Sequence, residues 1–406
     1  LDAGVHFAER GIGTRVIVSL DHDRSWEEGI RSGETTVLVI DAETRHVSPD
    51  QAYRKVFAIA KDAREAGIPC IYKKTDSALR GNIGSELEAA YRAAGEPFLS
   101  FVPALPQMNR ITRGGRQYID GVPVSKSVFG RDPFEPVTKD SVKDIIRLQS
   151  EIPVIETHGE AQPGPGQAGI VVYDATTEAD IRRIGADLTV TGQNRLMAGC
   201  AGFAAILPDL LGLKRQEPET AALERRLFVI CGSVNPITRR QLDWGERVGY
   251  PRIYMAAEEK LNPEFWKSEQ GAGLTRRMTQ ESSENDCVIL DTNDREGERN
   301  TLEYARELGI DTGQVRSRIP ETLGIILKNM LDCGLHAVLL VTGGDTLLGF
   351  MKEIRQWELQ PIRQVRPGCV LTKLYYCGRE HHIITKSGGF GEENLLSELT
   401  EELKGK

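Results

Sequence analysis

Lys74, Thr75, Asp76, Ser77, Arg80, Gly81 and Asn82 are the densest run of chemically capable side chains in this 406-residue sequence. They follow the apolar run Cys70-Ile71-Tyr72, which predicts a buried strand ending where the charges begin. In an open α/β sheet, ligands bind at the carboxyl ends of the strands. Two cations, a carboxylate and a glycine placed there suit a small, anionic, hydroxyl-rich molecule. The cations fix a carboxylate, Asp76 accepts from hydroxyls, and Gly81 lets the backbone come close. A sugar acid has that chemistry. A surface turn carrying a salt bridge is the other reading of the same segment.

Three further strand-to-loop junctions occur in the second half. Leu227-Phe228-Val229-Ile230 runs into Cys231-Gly232-Ser233-Val234-Asn235-Pro236, and Ala337-Val338-Leu339-Leu340-Val341 runs into Thr342-Gly343-Gly344-Asp345-Thr346. His382-Ile383-Ile384 runs into Thr385-Lys386-Ser387-Gly388-Gly389-Phe390-Gly391. Small residues let backbone N–H groups face a ligand, and a helix start adds partial positive charge, so three such loops at one sheet edge would make a phosphate cradle. Lys386 would add a full charge. Asp345 would hold a magnesium ion directly or through water, or would serve only as a helix N-cap. Neither GxxxxGK(S/T) nor GxGxxG is present, which disfavours a Walker NTPase and a Rossmann dehydrogenase.

Positioning these loops takes alternating strands and helices. Val16-Ile17-Val18, Thr36-Val37-Leu38-Val39-Ile40 and Cys70-Ile71-Tyr72 predict strands, and Ser48-Pro49 predicts the N-cap and first position of a helix running towards Ala66. That order argues for a largely parallel sheet. The Pro/Gly-bearing stretch 103–136 is too long for a simple connection and reads as a functional excursion. A polar segment, 214–226, separates this half from a second α/β series. The expected organisation is an α/β protein of two domains, each with a largely parallel sheet flanked by helices: residues 1–213, a linker 214–226, and residues 227–406.

Composition excludes several classes. Hydrophobic residues make up 40%, charged residues 27%, and the net charge is -8, with no basic excess to favour nucleic acid or an anionic membrane as partner. The seven cysteines form no CxxC pair and predict a reduced, cytoplasmic protein. Only His381-His382 are neighbouring histidines, so no protein-built zinc site is expected. The oligomeric state is open, and a homo-oligomer is compatible with the sequence.

The combination of KKTDSALRGN (73–82), VTGGDT (341–346) and KSGGFG (386–391) resembles the four-carbon acid sugar kinase family, earlier known as domain of unknown function 1537. Supporting matches are Asp41-Ala42-Glu43-Thr44-Arg45, Pro103-Ala104-Leu105-Pro106, Gly121-Val122-Pro123-Val124, Arg131-Asp132-Pro133, and Gly232-Ser233 with Thr238 and Gln241. The resemblance implies an N-terminal acid-sugar-binding domain, a C-terminal ATP-binding domain and an active site in the interdomain cleft. The implied reaction is Mg-ATP-dependent phosphorylation of the terminal hydroxyl of threonate, erythronate or a 3-oxo-tetronate. Arg45, Lys74, Asp76 and Arg80, with Gly81 and Asn82, would form the sugar-acid site. Ser233, Gly343, Gly344, Asp345, Thr346, Lys386, Ser387, Gly388 and Gly389 would line the nucleotide site.

The family's Asp-Asp-x-Thr-Gly-Ala motif is missing; Leu1-Asp2-Ala3-Gly4 resembles the residues that follow it, ahead of a helical pattern over 1–10. Either that motif lies upstream or this member has lost part of its acid-sugar site. Asp76 is the visible carboxylate for the hydroxyl proton, and an orienting role is its alternative. A non-catalytic nucleotide or sugar-acid sensor on the same scaffold is the competing function.

Overall fold

The computed structural model describes residues 1–18, 35–132, 135–157, 166–213, 215, 217, 221–387 and 389–405. The chain divides into two compact units. One comprises Arg10–Gly13 and Ser19–Gln216, the other Leu1–Glu9, Thr14–Val18 and Glu217–Lys406. The second unit therefore takes up β1 (Thr14–Val18) and the single helical turn Val5–Ala8.

That placement corrects one expectation. Neither the 14–18 strand nor the strand predicted over 36–40 joins the five-stranded parallel sheet of the first half; the former pairs antiparallel with β15 (Glu358–Arg366), Val16 opposite Leu359. Arg15 Nε donates to Glu358 at 2.6 Å, and the Glu9 carboxylate accepts from the Gln364 backbone at 2.7 Å. An apolar run announces a strand without naming its partner, and here the partner lies more than 300 residues away.

In the first unit, β2 (Val37–Asp41) leads to the helix Pro49–Glu65. Ser48 caps that helix in a capping box with Gln51, Pro49 takes its first turn, and Ala52, Val56 and Ala60 share the buried face. The sheet is parallel throughout, in the order β3-β10-β4-β9-β8: β3 (Ile71–Lys74), β10 (Leu196–Gly199), β4 (Phe98–Val102), β9 (Gly169–Tyr173) and β8 (Val154–Thr157). Leu99, Phe101, Ile170, Val172 and Leu196 pack beneath Leu87 and Ala90 of the helix Ile83–Ala94. The 103–136 excursion folds into its own antiparallel sheet, β5 (Arg110–Arg113), β6 (Arg116–Ile119) and β7 (Val122–Pro123). Reciprocal backbone hydrogen bonds of 3.0 Å between Thr112 and Ala175 fasten it just beyond the end of β9.

In the second unit, five strands run parallel in the order β12 (Arg252–Tyr254), β13 (Cys287–Asp291), β11 (Leu227–Cys231), β14 (Val338–Thr342) and β17 (Arg379–Lys386). Beyond β17 the sheet continues antiparallel through β16 (Cys369–Tyr376), β15 and β1. β11, β13 and β14 are buried at every position, which is why they read as continuous apolar runs rather than alternating ones.

Candidate active site

The turn after β3 is built around Asp76. Its Oδ2 accepts from the backbone N–H of Ala78 (3.1 Å) and of Arg80 (3.2 Å) and from Arg80 Nε (3.1 Å), while Oδ1 accepts from Arg80 Nη2 (3.0 Å) and Arg45 Nη2 (3.3 Å). Burial pushes this carboxyl up, but the Arg80 hydrogen bond and the charges of Arg80 and Arg45 bring it below its ordinary value. Every acceptor direction is thus occupied. Arg80 also reaches Asp132 Oδ2 at 3.4 Å.

Gly81 and Asn82 shape this turn from beneath. Gly81 has φ +81°, and a β-carbon there would stand 3.1 Å from Arg45 Cγ, so the glycine makes room for Arg45. Asn82 is buried and donates to the carbonyls of Thr44 (2.8 Å) and Val47 (2.9 Å), while Gln149 Nε2 donates to its Oδ1 (3.1 Å). It therefore pins the 44–47 loop that carries Arg45. Lys73 pairs with Glu86 at 2.5 Å towards the helix Ile83–Ala94, so Lys74, next along the strand, projects from the other face. A cavity of about 330 Å³ lies alongside, lined by Arg45, His46, Arg80, Asn82, Glu135 and Gln149 among others; His46 Nδ1 and Glu135 lie 2.7 Å apart.

The sequence reading missed Arg110 and Phe129 here, and noted Asp132 only within the motif Arg131-Asp132-Pro133 without assigning it to the site. All three come from the 103–136 excursion, whose length was the available signal. The guanidinium groups of Arg80 and Arg110 both lie over the Phe129 ring, their Cζ atoms 4.9 and 5.1 Å from its centroid.

In the second unit the three loops leave one sheet edge together. Cys231 stands opposite Thr342, and Thr342 opposite Lys386, in adjacent parallel strands. The first two loops touch, because a β-carbon on Gly232 would sit 2.2 Å from Thr346 Oγ1. Gly343 is the N-cap of the helix Gly344–Ile354, with φ +93° and no side-chain cap. Asp345 is therefore not the N-cap considered from sequence; it lies exposed in the first turn. Lys386 is buried, its Nζ donating to Thr238 Oγ1 (3.1 Å) and the Ser387 carbonyl (3.2 Å), and burial holds its pKa below the ordinary lysine value.

Two buried amides fix these loops. Gln241 Nε2 donates to the carbonyls of Phe390 (3.0 Å) and Glu392 (2.9 Å). Asn293 Nδ2 donates to the Ser233 carbonyl at 3.2 Å and to Asp291 Oδ1 at 2.7 Å. The Ser387 N–H donates to the Gly368 carbonyl at 3.0 Å. Gly389 lies in the turn that follows, and Gly388 is outside the described residues. Asn293 was not foreseen, although a polar run directly after the apolar strand Cys287–Asp291 was a readable mark.

Among the described residues no group of three or more His, Cys, Asp or Glu could hold a metal, and no helix is long and apolar enough to cross a membrane. A magnesium ion that arrives with phosphates needs only one or two carboxylates. Asp345 fits that demand; Asp291 does not, since Arg252 Nη2 holds it at 2.7 Å.

Residues 1–207 match the family model of the sugar-binding N-terminal domain, and residues 228–396 that of the nucleotide-binding C-terminal domain. A D-threonate kinase of Salmonella typhimurium is 28% identical, over 97% of this chain and 93% of that protein. A D-erythronate kinase of Heliobacterium modesticaldum is 27% identical, over 96% and 91%. The solved structure of a Haemophilus influenzae DUF1537 protein shares the fold with TM-score 0.73 and 18% identity, over 100% of this chain and 96% of that one.

Proposed function

The chain belongs to the four-carbon acid sugar kinase family, and we propose that it transfers the γ-phosphoryl group of ATP to the terminal hydroxyl of a threonate, erythronate or 3-oxo-tetronate. The observation that carries this reading is a division of chemistry. The guanidinium-rich turn lies in the unit matched to a sugar-binding domain, and the three-loop edge lies in the unit matched to a nucleotide-binding domain.

Phosphoryl transfer asks a protein mainly for position and charge neutralisation. Arg45, Lys74, Asp76 and Arg80 are assigned to the sugar-acid site, with Gly81 and Asn82 shaping it. Asp76, saturated by its hydrogen bonds and lowered in pKa, acts there as a positioning residue that aims Arg45 and Arg80. Its alternative role as proton acceptor has less support, because a carboxylate with all its acceptor directions taken is a weak base.

Ser233, Gly343, Gly344, Thr346, Lys386, Ser387 and Gly389 are assigned to the phosphates of ATP. The uncapped start of the helix Gly344–Ile354 and the Lys386 amine supply the positive field. Magnesium, held by Asp345 and the phosphates, would offset charge on the transferred group. The use of ATP supports a cytoplasmic setting for this reaction. Mass spectrometry and phosphorus NMR of the product after incubation with ATP, magnesium and each tetronate test the assignment. A phosphomonoester on the terminal carbon supports it, and phosphate on any other hydroxyl overturns the regiochemistry.

A further inference from the structure

Arg110 opens β5, and its backbone is clamped to Leu105 in both directions, by hydrogen bonds of 2.7 and 3.2 Å. Its guanidinium is half-buried, donates through Nη1 to the Ser77 hydroxyl, and lies against the Phe129 ring. Ser77 is itself held, since Gln117 Nε2 donates to its carbonyl at 3.0 Å. The cation is thus rigidly presented at the same turn as Asp76.

Its charge is not neutralised in the way its neighbours' charges are. Asp76 is engaged by Arg80 and Arg45, and Asp132 by Arg80. Among the described residues no carboxylate forms an ion pair with Arg110. Burial lowers its pKa, and Asp76 and Asp120 act on it only at longer range. Three guanidiniums gathered around two carboxylates leave one cation in excess, and a half-buried cation without an anion is a costly arrangement. A planar guanidinium fork held by a ring and a hydroxyl matches a bidentate carboxylate.

We propose that Arg110 grips the carboxylate of the sugar acid and so sets the preference for four-carbon acids over neutral polyols of the same length. This rests on the sugar-acid kinase reading. Arg45 and Arg80, tied to Asp76, then form the wall of the site and contact the hydroxyls.

The test compares the wild-type protein with Arg110→Gln, which removes the charge and the fork while leaving a shorter, neutral amide, and with Arg110→Lys, which keeps charge without the fork. Steady-state kinetics with ATP are measured on D-threonate and D-erythronate and on threitol and erythritol, and binding of the acids is followed by calorimetry without ATP. Arg110→Gln is expected to raise KM and Kd for the acids roughly 10- to 100-fold, the loss of one charge-assisted pair. The KM for ATP and the weak activity on polyols should be unchanged, and Arg110→Lys should recover part of the acid affinity. Parallel losses on acids and polyols, or an unchanged KM for the acids, would overturn the inference and leave Arg110 as a packing partner of Phe129. A wild-type protein that neither binds nor phosphorylates any of the acids would overturn the proposed function and this inference together.

Discussion

Asp76 and Arg80 are joined side chain to side chain at two points, Oδ2 to Nε at 3.1 Å and Oδ1 to Nη2 at 3.0 Å, within a single turn of chain. Removing the charge leaves Arg80 and Arg45 facing a neutral amide. Asp76→Asn should therefore cost about 3 kcal/mol in stability, the usual scale for breaking one side of a mostly buried pair, and should weaken binding of the acids. Chemical denaturation and calorimetry check this; a variant as stable as wild type would show that the pair is spectator chemistry.

The pH dependence follows from the lowered pKa of Asp76. A carboxyl depressed below its unfolded value, near 4, contributes stability that is present above that value and lost only as pH falls through the folded pKa. Between pH 5 and 8 Asp76 stays ionised, so kcat/KM should show no acid limb assignable to it. An acid limb in that range that vanishes in Asp76→Asn would restore Asp76 as the proton acceptor.

His382 behaves in the opposite sense. Its Nδ1 lies 3.0 Å from Glu224, which precedes β11, and that hydrogen bond raises the imidazole pKa above its ordinary value. A raised folded pKa gives stability that is complete below about pH 6.5 and lost as pH rises through the folded value. The second unit should thus melt at a lower temperature at pH 8.5 than at pH 6. In His382→Gln that difference should shrink, as scanning calorimetry at the two pH values would show.

Asn82 touches the Arg45 loop and need not touch ligand to matter. Asn82→Ala should weaken acid-sugar binding by about 1–3 kcal/mol through loss of buried hydrogen bonds, with ATP binding intact. Equal loss of ATP affinity by calorimetry would point to general unfolding rather than loosening of one loop.

Asp345, exposed in the first turn of its helix, is expected to act through the metal. Asp345→Asn should depress turnover more than nucleotide affinity, with part of the loss recovered at high magnesium. Unchanged kcat at saturating magnesium would remove it from the metal site.

Much of this arrangement was legible in the sequence. Ser48-Pro49 marked its helix because capping chemistry is local, and the apolar runs over 227–230 and 338–341 marked strands because both faces are buried. The three glycine loops were visible one by one; their convergence depends on strand order, which periodicity does not encode. For the same reason the partner of β1 was missed. Arg110 and Asn293 escaped because each acts through a residue distant in sequence, Ser77 and Ser233 respectively. Asp76 was visible as a carboxylate, while its saturation by Arg45 and Arg80 needed coordinates.

The central claim is turnover: ATP consumed in proportion to a four-carbon acid sugar. A coupled ADP-release assay with magnesium, run over D-threonate, L-threonate, D-erythronate and 3-oxo-tetronates, measures it directly. The account predicts release that depends on one or more of these acids and matches phosphorylated acid mole for mole. Tight binding of ATP and an acid with no ADP released above background would contradict it, and would make the protein a sensor built on a kinase scaffold.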